Sequence, residues 1–210
     1  MKNTHNAIVL APHADDGEFS SGGTIKKLTS NGVKVWYVAF SPCKKSIPKG
    51  FSENILYDEL LKAVSHLGID KNNVITFNFT VREFDKHRQE ILDNLITLKK
   101  EIQPDLVLLP NSKDVHQDHQ VIHNEGIRAF KHFKILGYEL PWNNIQFNKN
   151  LYVKLEKEHL DAKIAAIREY KSQEFRFYSS EDFFYSLARV RGTQINCEYA
   201  EAFEVIRWIL

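Results

Sequence analysis

Short apolar runs of strand length alternate with longer segments of helical period along this chain, and few folds satisfy that alternation other than a mainly parallel sheet covered by helices. Ala7 to Ala11, Lys34 to Phe40, Val74 to Phe79 and Asp105 to Leu109 are rich in Val, Ile, Leu and Phe. Strands buried on both faces have that composition. Between them, helices are predicted over Gly23 to Ser30, Asn54 to His66, Phe84 to Ile102, Gln117 to Phe130 and Glu156 to Tyr170. Asn31-Gly32 and Gly68 mark helix ends, and Pro104 introduces the next strand. The stretch Gly137 to Leu155 is less regular, and a further strand is expected around Phe203 to Ile206. The expected architecture is an α/β, Rossmann-like three-layer sandwich. No repeat or Pro/Gly/Ser linker interrupts residues 1–210, so one domain is expected.

Composition narrows the function classes. With 28 Lys plus Arg against 27 Asp plus Glu, no net field favours nucleic acid or an anionic membrane. A hydrophobic fraction of 43% builds a core without crosslinks. The only cysteines, Cys43 and Cys197, lack C-x-x-C spacing and read as idle thiols. The run Ala7 to Ala11 is too short for a signal-peptide core, and no stretch approaches the ~20 apolar residues of a membrane helix, so a cytoplasmic protein is expected.

Two polar clusters follow two of the strands. Pro12-His13-Ala14-Asp15-Asp16-Gly17-Glu18 leaves the first, and Asp114-Val115-His116-Gln117-Asp118-His119 leaves the strand Asp105 to Leu109. Ligands of open parallel sheets bind at such carboxyl ends, and a doubly wound order would set the two clusters face to face. An Asp-Asp pair at a helix start serves equally as a cap, and a lone loop histidine is usually solvated. Two such clusters at two buried strand ends point instead to a metal. Two imidazoles and one carboxylate leave a zinc ion one open position for water, so no Ser or Cys nucleophile is needed. Asp15 is the candidate for taking the water proton, and His116 for stabilising the oxyanion and protonating the leaving amine. His119 and His123, four apart, form a rival ligand pair, but no Glu lies between them to act as base.

These clusters resemble the signatures of the LmbE-like, or PIG-L-like, N-acetylglucosaminyl deacetylases, a [AP]-H-[PA]-D-D-E type motif and a later H-x-D-H. Here they stand as P-H-A-D-D-G-E and H-Q-D-H. Pro104 to Val107, Tyr170-Lys171-Ser172-Gln173, Arg191-Gly192 and Tyr199 to Phe203 look like the same family. The resemblance implies hydrolysis of an acetamide on an amino sugar, with zinc held by His13, Asp16 and His119. It also implies Asp15 as general base and His116 as oxyanion stabiliser. Asp118, and Asp114 beside it, would orient an imidazole or touch substrate. Fe2+ suits the same ligands. Three positions depart from the pattern: Ala14 is commonly Pro, Gly17 often Glu, and Leu56 stands where many relatives carry Arg.

The expected partner is a small N-acetylated sugar, and a homo-oligomer is compatible with the sequence. Arg82, Arg88 and Arg191 are candidates for a substrate anion, although salt bridging is the ordinary use of such residues. Trp142 and Tyr178 are candidates for stacking on a sugar ring, and Glu201 for fixing Arg191 or a hydroxyl. A nucleotide-binding module is a rival reading, weakened because Ser21-Gly22-Gly23 does not fit G-x-G-x-x-G. A non-catalytic scaffold is another, weakened by the intact ligand set. A metal-dependent phosphoesterase would need more carboxylates and histidines than the two loops supply.

Overall fold

The computed structural model describes residues 4–209. Strands β1 (Asn6–His13), β2 (Lys34–Ser41), β3 (Val74–Thr76), β4 (Leu106–Pro110), β5 (Lys134–Tyr138), β6 (Leu151–Leu155) and β7 (Tyr199–Arg207) form one sheet in the order β3-β2-β1-β4-β5-β7-β6. The pairs β1/β2, β2/β3, β1/β4 and β4/β5 are parallel, while β7 runs antiparallel to both neighbours. The helices are α1 (Asp16–Ser30), α2 (Ile55–His66), α3 (Arg88–Ile102), α4 (Gln117–Ala129), α5 (Lys157–Arg168) and α6 (Glu181–Thr193).

Strand β1 shows how the three layers arise. Side chains alternate across a strand, so Ala7, Val9 and Ala11 join the core under α1, α2 and α5, whereas Ile8 and Leu10 join the core under α3 and α4. All five are fully buried. Strand order reverses at β1, with β2 and β3 laid down on one side and β4 and β5 on the other, so the loops leaving β1 and β4 open into the switch-point crevice.

The α/β sandwich and the adjacency of the first and fourth strands are as expected. Helix α1 begins at Asp16, seven residues earlier than predicted, and β3 stops at Thr76 rather than Phe79. The predicted strand at Phe203 to Ile206 lies within β7. Strand β6 lies in the stretch Gly137 to Leu155 read as less regular, β5 begins just before it in residues to which no element is assigned, and α6 falls in the tail, for which no helix is predicted. Among the described residues, no helix is long and apolar enough to cross a membrane.

Candidate functional site

Strand β1 delivers His13 as its last residue, and α1 starts three residues later with Asp16, whose Oδ2 accepts the His13 N–H at 2.8 Å. The tight turn between them aims both side chains into the crevice. From the other strand, His116 caps α4: its Nδ1 accepts the Asp118 N–H at 3.2 Å. With an acceptor at Nδ1, a neutral His116 carries its proton at Nε2. His119 follows one turn into α4.

Three donor atoms from these loops converge. His13 Nδ1 lies 3.1 Å from Asp16 Oδ2, His119 Nε2 lies 3.2 Å from the same oxygen, and the two nitrogens are 3.2 Å apart. All three residues are buried. The outer nitrogen of each imidazole is committed elsewhere, His13 Nε2 to Asp118 Oδ2 at 3.0 Å and His119 Nδ1 to Asp114 Oδ2 at 2.7 Å. A carboxylate that takes the N–H of one ring nitrogen leaves the lone pair of the other pointing into the triangle, the arrangement usual behind metal-bound histidine. Ligands about 2.0–2.2 Å from one zinc ion at tetrahedral angles lie roughly 3.3–3.6 Å apart, slightly wider than the triangle. The triangle therefore fits such an ion by donor type and by spacing. The nitrogens of His13, His116 and His119 also lie within 4.8 Å of one another. That set is wider, and His116 has one nitrogen engaged as a cap, so it faces the triangle rather than closing it.

The electrostatics of the cluster call for positive charge. Burial lowers the pKa of His119, but Asp16 and Asp114 outweigh it and push the residue up to about 10. His13 is likewise raised to about 8, burial being outweighed by Asp16 and Asp118. Asp16 is held far below the usual carboxylate range by His119 and His13, despite burial. Its neighbour Asp15 is pushed up to about 6 by burial and by Asp16. His116 goes the other way, to about 4, through burial and the charges of His119 and His13. Beneath the loop, burial raises Glu18 to about 8 against hydrogen bonds from Tyr37 and Tyr170.

A cavity of about 230 Å³ opens over the triangle. His13, Asp15, Asp16, His116 and His119 line its floor, and Cys43, Leu56 and Val81 line one side. Trp142 and Tyr178 form an aromatic wall, stacked on each other at 3.9 Å and 8°, with the Phe19 ring edge-on to both.

Several candidates lie elsewhere. Arg82 has an exposed side chain outside the cavity; its left-handed backbone (φ 68°) brings its N–H to Asp118 Oδ2 at 2.6 Å, so it braces the loop through the main chain. Arg191 points away from the cavity into a two-pronged pair with Glu139, and Arg88 pairs with Glu125. Glu201 is buried against Lys163 rather than Arg191. His123 is buried and bonds the Pro110 carbonyl through Nδ1 at 2.7 Å, out of the triangle. Ser21-Gly22-Gly23 lies inside α1, where Cβ atoms on the two glycines would meet Lys163 and Leu155, so the glycines serve close packing rather than a phosphate loop.

Arg176 and Gln173, which line the cavity, escaped the sequence reading. The only signal was the stretch ending at Gln173, since residues 171–180 have neither helical nor strand period.

Comparison with known proteins gives the family of the chain. A family model described as PIG-L, GlcNAc-PI de-N-acetylase, matches residues 8–130. The chain is 24% identical over 171 residues to an uncharacterized deacetylase, YaiS, of Escherichia coli, covering 79% of this chain and 90% of that protein. It is 26% identical over 137 residues to the diacetylchitobiose deacetylase of Thermococcus kodakarensis, covering 61% of this chain but only 50% of that enzyme. The solved N,N'-diacetylchitobiose deacetylase of Pyrococcus horikoshii superimposes with a TM-score of 0.80 at 25% identity, over 98% of this chain and 85% of that one. The family match begins within β1 and ends just after α4, so it takes in both loops that build the triangle, and the chain belongs to the PIG-L, LmbE-like family.

Proposed function

We propose that this protein hydrolyses the acetamide of an N-acetylated amino sugar or its conjugate, releasing acetate, with Zn2+ held by His13, Asp16 and His119 and with Fe2+ as the alternative ion. The observation that carries this reading is the triangle of donors 3.1–3.2 Å apart on the floor of a cavity that Asp15 and His116 also line. A divalent ion bound there supplies Lewis acidity, which polarises the amide carbonyl and acidifies water. Asp15 takes a proton from the attacking water as its oxygen bonds to the carbonyl carbon. His116, with its proton at Nε2, donates a hydrogen bond to the oxygen on which charge develops. As the C–N bond breaks, the proton held by Asp15 or His116 passes to the departing amine, leaving a free amino sugar and acetate. At about 230 Å³ the cavity suits an acetamide and its sugar ring, with any larger aglycone over the mouth. The names of the Thermococcus and Pyrococcus relatives, both diacetylchitobiose deacetylases, support the substrate class.

The test is acetate release from N-acetylated sugars by zinc-supplied protein. Chelation abolishes it and added zinc restores it. Asp15→Asn lowers turnover by about 10²–10⁴-fold, the usual share of a general base, with zinc content retained. Full turnover in that variant removes Asp15 from the role.

A further inference from the structure

Glu59 on α2 is a buried carboxylate that meets no cation among the described residues. Glu125, Glu139 and Glu201, also buried, each face an Arg or Lys. The hydrogen-bond donors to Glu59 both belong to Ser172, whose N–H reaches Oε1 at 2.9 Å and whose hydroxyl reaches Oε2 at 2.6 Å. A buried charge without a counter-ion is costly, and a glutamine of the same shape would avoid much of that cost. What the carboxylate supplies, and an amide cannot, is an acceptor at both oxygens.

That property gives a direction to the bonds that follow. The Ser172 hydroxyl spends its one proton on Glu59, so toward Gln173 it can only accept, and Gln173 Nε2 donates to it at 3.1 Å. The amide is thereby turned to present Oε1 on its other side, where it takes the Nε–H of Arg176 at 2.6 Å. An arginine Nε–H can only donate, so both ends of this relay demand the same amide orientation. Gln173 is buried, Arg176 is half-buried, and both line the cavity above the triangle. The guanidinium lies 5.6 Å from the centroid of the Tyr178 ring in the aromatic wall, and its positive charge acts on Asp15 on the floor.

We propose that Glu59, which does not itself line the cavity, is a positioning residue for turnover: it fixes the polarity of the relay through Ser172 and Gln173, and so holds Arg176 in place near Asp15. For the reaction this rests on the deacetylase reading above; the relay itself is a property of the fold. In Glu59→Gln one acceptor becomes an NH2 group without change of shape. Its remaining oxygen keeps the Ser172 N–H, but the new NH2 donates to the hydroxyl, whose proton is left facing Gln173 Nε2. Turning the Gln173 amide over relieves that clash only by setting Nε2 against the Nε–H of Arg176. Whichever way Gln173 lies, one bond of the relay is lost.

The experiment compares the zinc-supplied parent, Glu59→Gln, Ser172→Ala and the double variant. It measures acetate release from the N-acetylated sugar that the parent cleaves fastest, and follows the Arg176 Nε–H by NMR, the signal being assigned by its disappearance in Arg176→Lys. Glu59→Gln should lower kcat/KM by about 10- to 100-fold at full zinc content, the scale of a small displacement beside reacting groups. Its Arg176 Nε–H should lose protection against exchange with water. In the Ser172→Ala background no hydroxyl carries the polarity, so the same substitution should cost less than about 2-fold. A purely structural role for Glu59 would instead cost the same in both backgrounds and leave the Nε–H protected. Unchanged kcat/KM in Glu59→Gln, an equal loss in both backgrounds, or retained Nε–H protection overturns the proposal. If Glu59→Gln does not fold, Ser172→Ala decides: a lower kcat/KM with an unprotected Nε–H supports the relay, and parent-like behaviour overturns it. If the parent releases acetate from no N-acetylated sugar, the deacetylase reading fails, and the NMR signal alone judges the relay, which stands if Glu59→Gln unprotects the Nε–H and falls if it does not.

Discussion

Gly17 and Tyr37 are in contact so close that a Cβ at position 17 would lie 2.5 Å from the Tyr37 ring. The buried tyrosine rises from β2, accepts the Gly17 N–H at 3.1 Å and holds its hydroxyl between the Ala14 carbonyl, at 2.9 Å, and the Glu18 carboxyl, which share its single proton. Tyr170 reaches the same carbonyl at 2.8 Å. The turn between His13 and Asp16 is thus tied down from beneath, which accounts for glycine where the family often has glutamate.

Gly17→Ala should therefore cost about 1–3 kcal/mol, the range for overpacking a closed site, and should lower metal affinity by displacing Asp16. In a Tyr37→Leu background the same substitution should cost much less, because the ring that blocks it is gone. Urea denaturation of the four proteins measures the coupling. A Gly17→Ala protein as stable as the parent would show that the ring moves aside freely.

The carboxylates behind the imidazoles make a second prediction. Asp114 and Asp118 each take an outer ring N–H, of His119 and His13 respectively. Asp114→Asn and Asp118→Asn keep the shape but lose the charge that fixes ring orientation and basicity. Zinc affinity should drop by about 10- to 100-fold in each. Competition with a chromophoric chelator reads this directly, and unchanged affinity in both variants would separate these carboxylates from the metal.

What could be read in advance follows from how locally each feature is determined. Strands β1 and β4 are apolar at nearly every position because helices cover both faces, and the histidine and aspartate clusters directly follow them, so sheet and donor loops were legible together. Helix α1 was started too late because Gly22-Gly23 looks like a break, whereas those glycines are needed where α5 and β6 approach. Strand β5 is five residues long and contains Gly137, whose Cβ would sit 2.8 Å from the Asn111 Cα, a constraint set by the loop after β4. The end of β3 is similar: Phe77 and Phe79 still donate to carbonyls of β2, but beyond the ladder. Arg176 owes its position to Glu59, more than a hundred residues away, acting through Ser172 and Gln173. No local pattern carries such a relationship.

Lys163 and Glu201 form a buried ion pair at 2.7 Å whose loss should be costly. Helix α1 departs from helical geometry at Ser21, freeing backbone groups on both sides of the kink. Glu201 accepts the N–H groups of Gly23 and Thr24 at 3.0 and 2.7 Å, and Lys163 Nζ donates to the Ser20 carbonyl at 2.9 Å. The pair thus splints the kink, and the turn bearing Asp16 hangs from it. Lys163→Met strands a buried carboxylate and should cost about 3–5 kcal/mol. Adding Glu201→Gln should then cost less than it does alone, by about 0.5–3 kcal/mol in a denaturation cycle. Strict additivity would mean that the two residues act independently.

Glu204 gives the pH-dependent prediction. Its carboxylate accepts the N–H of Ser112 at 2.7 Å and the Ser112 hydroxyl at 2.6 Å, and takes Asn148 Nδ2 at 3.1 Å, joining the loop after β4 to the β5–β6 connection. Burial would raise its pKa, but these donors more than offset it and hold the group below its ordinary value. A carboxyl that is more acidic folded than unfolded stabilises the fold fully above the unfolded value of about 4.3, and loses that contribution as pH falls through the lowered folded value. Glu204→Gln should therefore be less stable than the parent at pH 7 by about 1–3 kcal/mol, the range for hydrogen bonds to a charged group. The difference should shrink on acidification, as the parent protonates and comes to resemble the variant. Chemical denaturation of both proteins from pH 7 down to the acid limit of folding tests it. A gap that stays constant would assign the loss to shape rather than charge, and the brace on the His116 loop would then be steric.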